Sequence, residues 1–300
     1  MTQLQQQIKA AFPRLTLRLD EPLARHTAFR IGGPAEVMAF PSTVEELSGL
    51  LAWASGRGIV PAVLGSGTNV LAAERGRRGL VICTKGALTG VERTGPDTIR
   101  AMAGTTMAAT ASFAAGLGLS GLEFAHGIPG SVGGGLYMNA GAYGGEMAQV
   151  AIQTEYLDFG GNPGVLTGDE QRFSYRRSGF TGKPLVILAG TFRLTPGDPA
   201  QIRQTMAQLM ARRKASQPLE LPSAGSTFKR PVGGYAAQLI EQAGLKGYRV
   251  GGAAVSAKHA GFVVNLGGAT EADVLAVIHY VQQRVRETSG ITLEPEVIRL

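Results

Sequence analysis

The stretch VLGSGTNVL, Val63 to Leu71, decides how the rest of the chain is read. An apolar run (Pro61, Ala62, Val63, Leu64) meets a small, hydroxyl-bearing, glycine-spaced turn (Gly65, Ser66, Gly67, Thr68, Asn69) and then turns apolar again. Glycine lets backbone N–H groups approach a ligand closely, and Ser, Thr and Asn add donors, so such a turn suits an anion such as a phosphate. Gly65-x-Gly67 also matches the start of a Rossmann fingerprint, but Val70 occupies its third glycine position, and Lys85 and Gly86 stand where a ribose-binding acid is expected. Taken alone, a Gly-x-Gly is more often a plain turn. A second cluster, GIPGSVGGGLYMNAGAYGG from Gly127 to Gly145, changes that weighting. Two such loops converging on one extended ligand fit a diphosphate-containing cofactor.

Working outward, Ser42-Thr43-Val44-Glu45 reads as a capping box opening a helix through Leu47, Leu50, Leu51 and Ala54. The strand Ile59 to Leu64 follows, so the first glycine turn lies at the C-terminal end of a strand in a strand-helix-strand unit, where α/β layers bind ligands. Short β-like runs occupy Gly79 to Ala103, a small-residue helix Thr105 to Ala115, and further strands Thr154 to Phe159 and Pro184 to Thr195. Pro196-Gly197-Asp198-Pro199 marks a boundary. Beyond it, helices are expected over Ala200 to Lys214 and Ala236 to Ala243, and strands broken by a turn over Tyr248 to Leu266. Thr270-Glu271-Ala272-Asp273 caps a long helix whose Val274, Leu275, Ile278, Val281 and Val285 share one face. The final ITLEPEVIRL is extended, and its strand returns to an earlier one.

Composition narrows the function. The chain has 300 residues, enough for two or three domains, and its 43 glycines are about twice the usual share without any repeat to account for them. A net charge of +7, with no basic run longer than Arg212-Arg213-Lys214 and few aromatics, favours anionic small molecules over nucleic acid. Cys83 is the single cysteine, and His26, His126, His259 and His279 are scattered, which leaves no disulfide and no metal-ligand spacing. The N-terminus lacks the pattern of a signal peptide and no apolar stretch is long enough to span a membrane, so a soluble cytoplasmic protein is expected.

The motifs HTAFRIGGPA (26–35), VLGSGTNVL (63–71), GIPGSVGG (127–134), YMNAGAYG (137–144), SYRRSGF (174–180), PSAGSTFKRP (222–231), GLKGYRVGGAAVS (244–256) and LEPEV (293–297) together resemble the UDP-N-acetylenolpyruvoylglucosamine reductase family. The resemblance implies an α+β FAD-binding fold of the vanillyl-alcohol oxidase-like type with a C-terminal α+β substrate domain. The expected segments are 1–88 with 288–300, 89–197, and 198–287. Gly65, Ser66, Gly67, Thr68 and Asn69, with Gly127, Ile128, Pro129, Gly130, Ser131, Gly133 and Gly134, would line the flavin. No histidine stands in the GSGTN loop to link it covalently, so non-covalent FAD is implied, reduced by NADPH, which then yields its pocket to the UDP-sugar enolpyruvate.

Family chemistry further implies roles for three side chains. Arg176 and Glu296, the latter protonated when it acts, stabilise the charge developed on hydride transfer, and Ser226 donates the proton, polarised by Lys229 or by its own loop backbone. The residues alone leave alternatives open. Arg176 and Arg177 form a solvated pair equally well, Glu294 and Glu296 share one strand face, and Ser226 suits a mere turn; the motif selects Arg176, Glu296 and Ser226. Asn139, Tyr143, Lys229 and Arg230 are the remaining substrate candidates. The interval from Arg176 to Ser226 lacks the tyrosine loop of longer members, which makes Lys214 the leading diphosphate contact. A flavin-dependent oxidase of sugars or alcohols, and an inactive nucleotide-sugar sensor, are the competing readings; the intact Arg, Ser and Glu matches weigh against both.

Overall fold

The computed structural model describes residues 1–300. They divide into two units: 1–19, 37–66 and 79–213 form the first, and 20–36, 67–78 and 214–300 the second. This division does not follow the three expected segments. Residues 288–300 lie with the C-terminal unit because Ile298–Arg299 pairs in parallel with Val70–Leu71. Segments 20–36 and 67–78 join them because Phe29, Ile31 and Leu71 are buried in the C-terminal core.

The helices are α1 (Gln3–Ala11), α2 (Val44–Ser55), α3 (Met107–Gly116), α4 (Glu123–His126), α5 (Val132–Tyr137), α6 (Pro199–Ser216), α7 (Ala236–Gln242) and α8 (Glu271–Ser289). In the first unit a four-stranded sheet has the order Thr16–Pro22, Pro34–Phe40, Arg77–Cys83, Ala62–Leu64, the last two parallel. Leu47, Leu50, Leu51 and Ala54 of α2 pack with Val37, Ala39, Leu80 and Ile82 of this sheet. The N-cap of α2 is Thr43, one residue later than the expected box: its hydroxyl accepts from Glu46 N–H at 3.1 Å, and the Glu46 carboxylate reaches back to Ser42. A second, antiparallel sheet has the order Pro163–Thr167, Ala151–Asp158, Leu185–Arg193, Thr98–Met102, Val91–Arg93. Its core is shared with α3, α5 and the start of α6. Cys83 is buried, and desolvation pushes its thiol up, keeping it un-ionised.

The second unit is built on the antiparallel order Ser223–Ser226, Phe262–Asn265, Ala253–Val255, Arg249–Val250. Val274, Ile278, Val281 and Val285 of the expected α8 stripe are buried in its core together with Val277, which the stripe did not include, while Leu275 is only partly buried. The expected capping box is present at Thr270 and Asp273, and Gly290, in the left-handed region at φ 72°, ends the helix.

Candidate active site

In the first unit, strand Ala62–Leu64 delivers Gly65 and Ser66 at its C-terminal end, with Thr84 N–H donating to Leu64 O at 2.9 Å. A Cβ on Gly65 would lie 2.6 Å from Ser131 Oγ, so the two glycine loops meet there and only glycine admits the approach. Ser131 is buried and caps α5, accepting from Gly134 N–H at 3.4 Å. The second loop is stitched to the segment before α3: Met107 N–H donates to Gly130 O, Val132 N–H to Thr105 O and Gly133 N–H to Ala103 O, at 2.8 to 3.0 Å. Gly133 and Gly134 therefore spend their N–H groups inside the protein, Gly127 and Ile128 donate theirs to Ala125 O, and Pro129 has none, so these five of the expected flavin contacts offer a ligand no free amide. The turn Gly65, Ser66 and Gly67 differs. Its N–H groups have no acceptor in the chain, although Gly67 is buried. Consecutive unsatisfied donors of this kind are what a diphosphate requires, and on that observation the turn fits FAD.

Arg176 lies in a tight turn closed by paired backbone bonds between Ser174 and Arg177, at 3.0 and 3.1 Å. The structure separates the two arginines that the sequence left equivalent. Arg176 is half-buried, at φ 56°, with its guanidinium over the Tyr175 ring (5.0 Å) and donating to Gly141 O at 3.4 Å; Arg177 is exposed. Asn139 is 1% exposed, its Nδ2 donating to Ser174 O at 3.1 Å and its Oδ1 accepting from Ala148 N–H at 2.9 Å. Its amide is thus committed, and the expected substrate contact gives way to a positioning role for the Arg176 turn. Tyr143, at φ 55° and 38% exposed, faces Arg212, whose guanidinium lies 5.2 Å from the ring.

In the second unit Gly67 at φ 64° leaves no room for a side chain, since a Cβ would overlap His26 O. Asn69 then reaches the C-terminal segment: its Nδ2 donates to Glu296 O at 3.1 Å, and Ile298 N–H donates to Asn69 O at 3.0 Å. The same segment lies along the strand of Ser226. Glu296 N–H donates to Thr227 O and Lys229 N–H to Glu294 O, both at 2.8 Å, with Phe228 bridged to Pro295. Buried Thr227 fastens this strand, its hydroxyl accepting from Val263 N–H at 2.9 Å. Ser226 is exposed beside it, and Glu296 is half-buried whereas Glu294 is exposed.

The remaining candidates are distributed as follows. Lys229 pairs with Glu294, so its charge is neutralised rather than aimed at Ser226. Arg230 stacks on Tyr235 at 3.9 Å. Lys214 is exposed, and its carbonyl accepts from Lys258 Nζ at 2.7 Å. His259 packs edge-on against Phe262, the pairing partner of Ser226; burial holds its imidazole below the ordinary value, and Nδ1 accepts from Gly261 N–H at 3.1 Å. Sequence reasoning passed over Arg213, the middle member of the basic run. It lies against Gly127 with no carboxylate partner. No three His, Cys, Asp or Glu side chains lie together as a metal site, and no helix is long and apolar enough to cross a membrane.

Residues 217–300 match the family model for the C-terminal domain of UDP-N-acetylenolpyruvoylglucosamine reductase, and residues 35–162 match a FAD-binding domain. The chain is 48% identical to the UDP-N-acetylenolpyruvoylglucosamine reductase of Levilactobacillus brevis, covering 97% of this chain and 95% of that one. It is 47% identical to that of Caldanaerobacter subterraneus, over 94% and 92%. Among solved structures it resembles the reductase of Thermus caldophilus with a TM-score of 0.77 and 34% identity, over 95% of this chain and 98% of that one. The α+β FAD-binding fold implied by the sequence motifs is therefore present.

Proposed function

This chain belongs to the UDP-N-acetylenolpyruvoylglucosamine reductase family, and from that premise we propose that it reduces the enolpyruvyl ether of UDP-N-acetylglucosamine to UDP-N-acetylmuramate for peptidoglycan synthesis. NADPH is the hydride donor. The turn Gly65 to Asn69 and the loop Gly127 to Ser131 would hold FAD, which would supply the two-electron carrier between donor and substrate.

The residues divide the remaining work. Hydride addition at the terminal vinyl carbon leaves negative charge on the carbon bearing the ether oxygen, spread into the adjacent carboxylate. Arg176 supplies fixed positive charge to that carboxylate and Glu296 a hydrogen-bond donor, a form of stabilisation that costs no reorganisation during reaction. Ser226 gives its hydroxyl proton to the carbanionic carbon, completing the addition of two hydrogens across the double bond. The observation that carries this assignment is the pinning of the strand after Ser226 to Glu296 through Thr227. The test is the visible spectrum of the purified protein without oxygen. NADPH should bleach the flavin bands and the enolpyruvyl substrate should restore them; persistent bleaching after substrate addition removes the proposal. The flavin should also leave with acid supernatant, because the GSGTN loop carries no linking histidine.

A further inference from the structure

Arg213 is placed at a disadvantage that the fold does not repair. It lies near the end of α6, half-buried, with its Cδ 3.4 Å from the position a Cβ on Gly127 would take. It makes no ion pair or hydrogen bond within the chain, unlike Arg100, which holds Glu155 through two bonds of 2.7 Å. Desolvation lowers its pKa, offset only by the Tyr143 phenol. A helix C-terminus favours a cation, but exposed Arg212 and Lys214 on either side meet that need in water. A half-buried guanidinium without a carboxylate is partly desolvated with no paired charge to offset it, and such residues concentrate at ligand sites.

Its neighbours say which ligand. Tyr143 and Gly141, the residue whose carbonyl accepts from Arg176, belong to one loop, and Asn139 ties that loop to the Arg176 turn. Arg213 thus stands beside the loop that positions the proposed substrate-carboxylate contact, while the flavin turn at Gly65 meets the second glycine loop at Ser131, four residues beyond Gly127. We infer that Arg213, rather than Lys214, binds a phosphate of the nucleotides that exchange in the active site. The planar guanidinium suits bidentate phosphate recognition. This deepens the proposed reaction and rests on it.

The test uses the FAD-loaded protein and Arg213→Met, which keeps the apolar stem against Gly127 and removes the charge. Binding of UDP by calorimetry and the KM values for the UDP-sugar and for NADPH are measured with FAD content and thermal stability. We expect UDP binding or one of the two KM values to weaken roughly tenfold to a hundredfold, the scale of a lost charged hydrogen bond. Arg213→Lys should recover part of it. Weakening confined to NADPH identifies the phosphates of the donor as the ligand; weakening of UDP identifies the sugar nucleotide. Flavin content and stability should be unchanged, or stability raised, because no protein partner is orphaned. Unchanged affinities with the parent fully active overturn the inference, as does loss of FAD, which would assign Arg213 to the cofactor. A loss seen with Lys214→Met in place of Arg213→Met also overturns it. A parent inactive with both nucleotides refutes the reaction itself and is recognised before any variant is made.

Discussion

Glu296 donates its backbone N–H to the carbonyl of Thr227 at 2.8 Å, fastening the C-terminal segment to the strand that ends in Ser226. The residue proposed as proton donor and the acid proposed to act with it are therefore held by backbone, independently of either side chain. Replacing one side chain leaves the other in place. Ser226→Ala should bleach its flavin with NADPH at near the parent rate, because hydride transfer needs no proton from this hydroxyl. Re-oxidation by the enolpyruvyl substrate should slow about a hundredfold or more. Rapid mixing reads both half-reactions, and equal slowing of the two would assign Ser226 to pocket shape.

Asn139 serves Arg176 from behind. Asn139→Ala removes both of its amide bonds and leaves Ser174 O and Ala148 N–H without their part-buried partner. Alanine is also strained at φ 43°, which asparagine tolerates. Chemical denaturation should show a loss of about 3 kcal/mol. Substrate-driven re-oxidation should suffer more than flavin reduction, since it is the Arg176 turn that loosens.

Contact between the two glycine loops predicts a rescue. Gly65→Ala should reduce FAD content and cost about 1–3 kcal/mol through overpacking against Ser131 Oγ. Ser131→Ala removes that oxygen, so the double variant should bind more flavin than Gly65→Ala alone despite losing the α5 cap. Absorbance per protein mole measures it; a strictly additive pair would mean the loops do not touch as described.

The Arg100 guanidinium holds the Glu155 carboxyl below the usual carboxylate range. A carboxylate depressed in the folded state stabilises it above the unfolded value, 4.5, and that contribution is lost as pH falls through the folded value. Glu155→Gln should therefore cost about 1 kcal/mol at pH 7, with the difference from the parent shrinking progressively below pH 4.5. A difference that stays constant on acidification would exclude the ion pair as its source.

Long amphipathic and well-capped elements were legible in the sequence: α8, with its Thr270 box and one apolar face, falls where periodicity puts it. Helix α1 was not anticipated, although Thr2 and Gln5 form its reciprocal cap. Helix α5 contains Gly133, Gly134 and Gly135, whose propensity argues against a helix; packing against Ala103 and Met107 overrides it. The same override hid two features of the site. Periodicity leaves Glu294 and Glu296 equivalent, and burial together with the long-range bonds to Lys229 and Thr227 distinguishes them. The family resemblance points to Lys214, whereas burial, which no composition reports, distinguishes Arg213.

The bond from Asn69 to Glu296 joins residues 227 positions apart. During synthesis at ~5–20 residues per second, the glycine turn is complete roughly 10–45 s before its partner is made. For that interval the emerging chain carries the donors proposed to bind the flavin without the segment that braces them. The braced form of the turn is thus a late event in the life of a newly made molecule, and a ribosome stalled within the last stretch yields a chain with its glycine turn made but the strand of Ser226 unfastened.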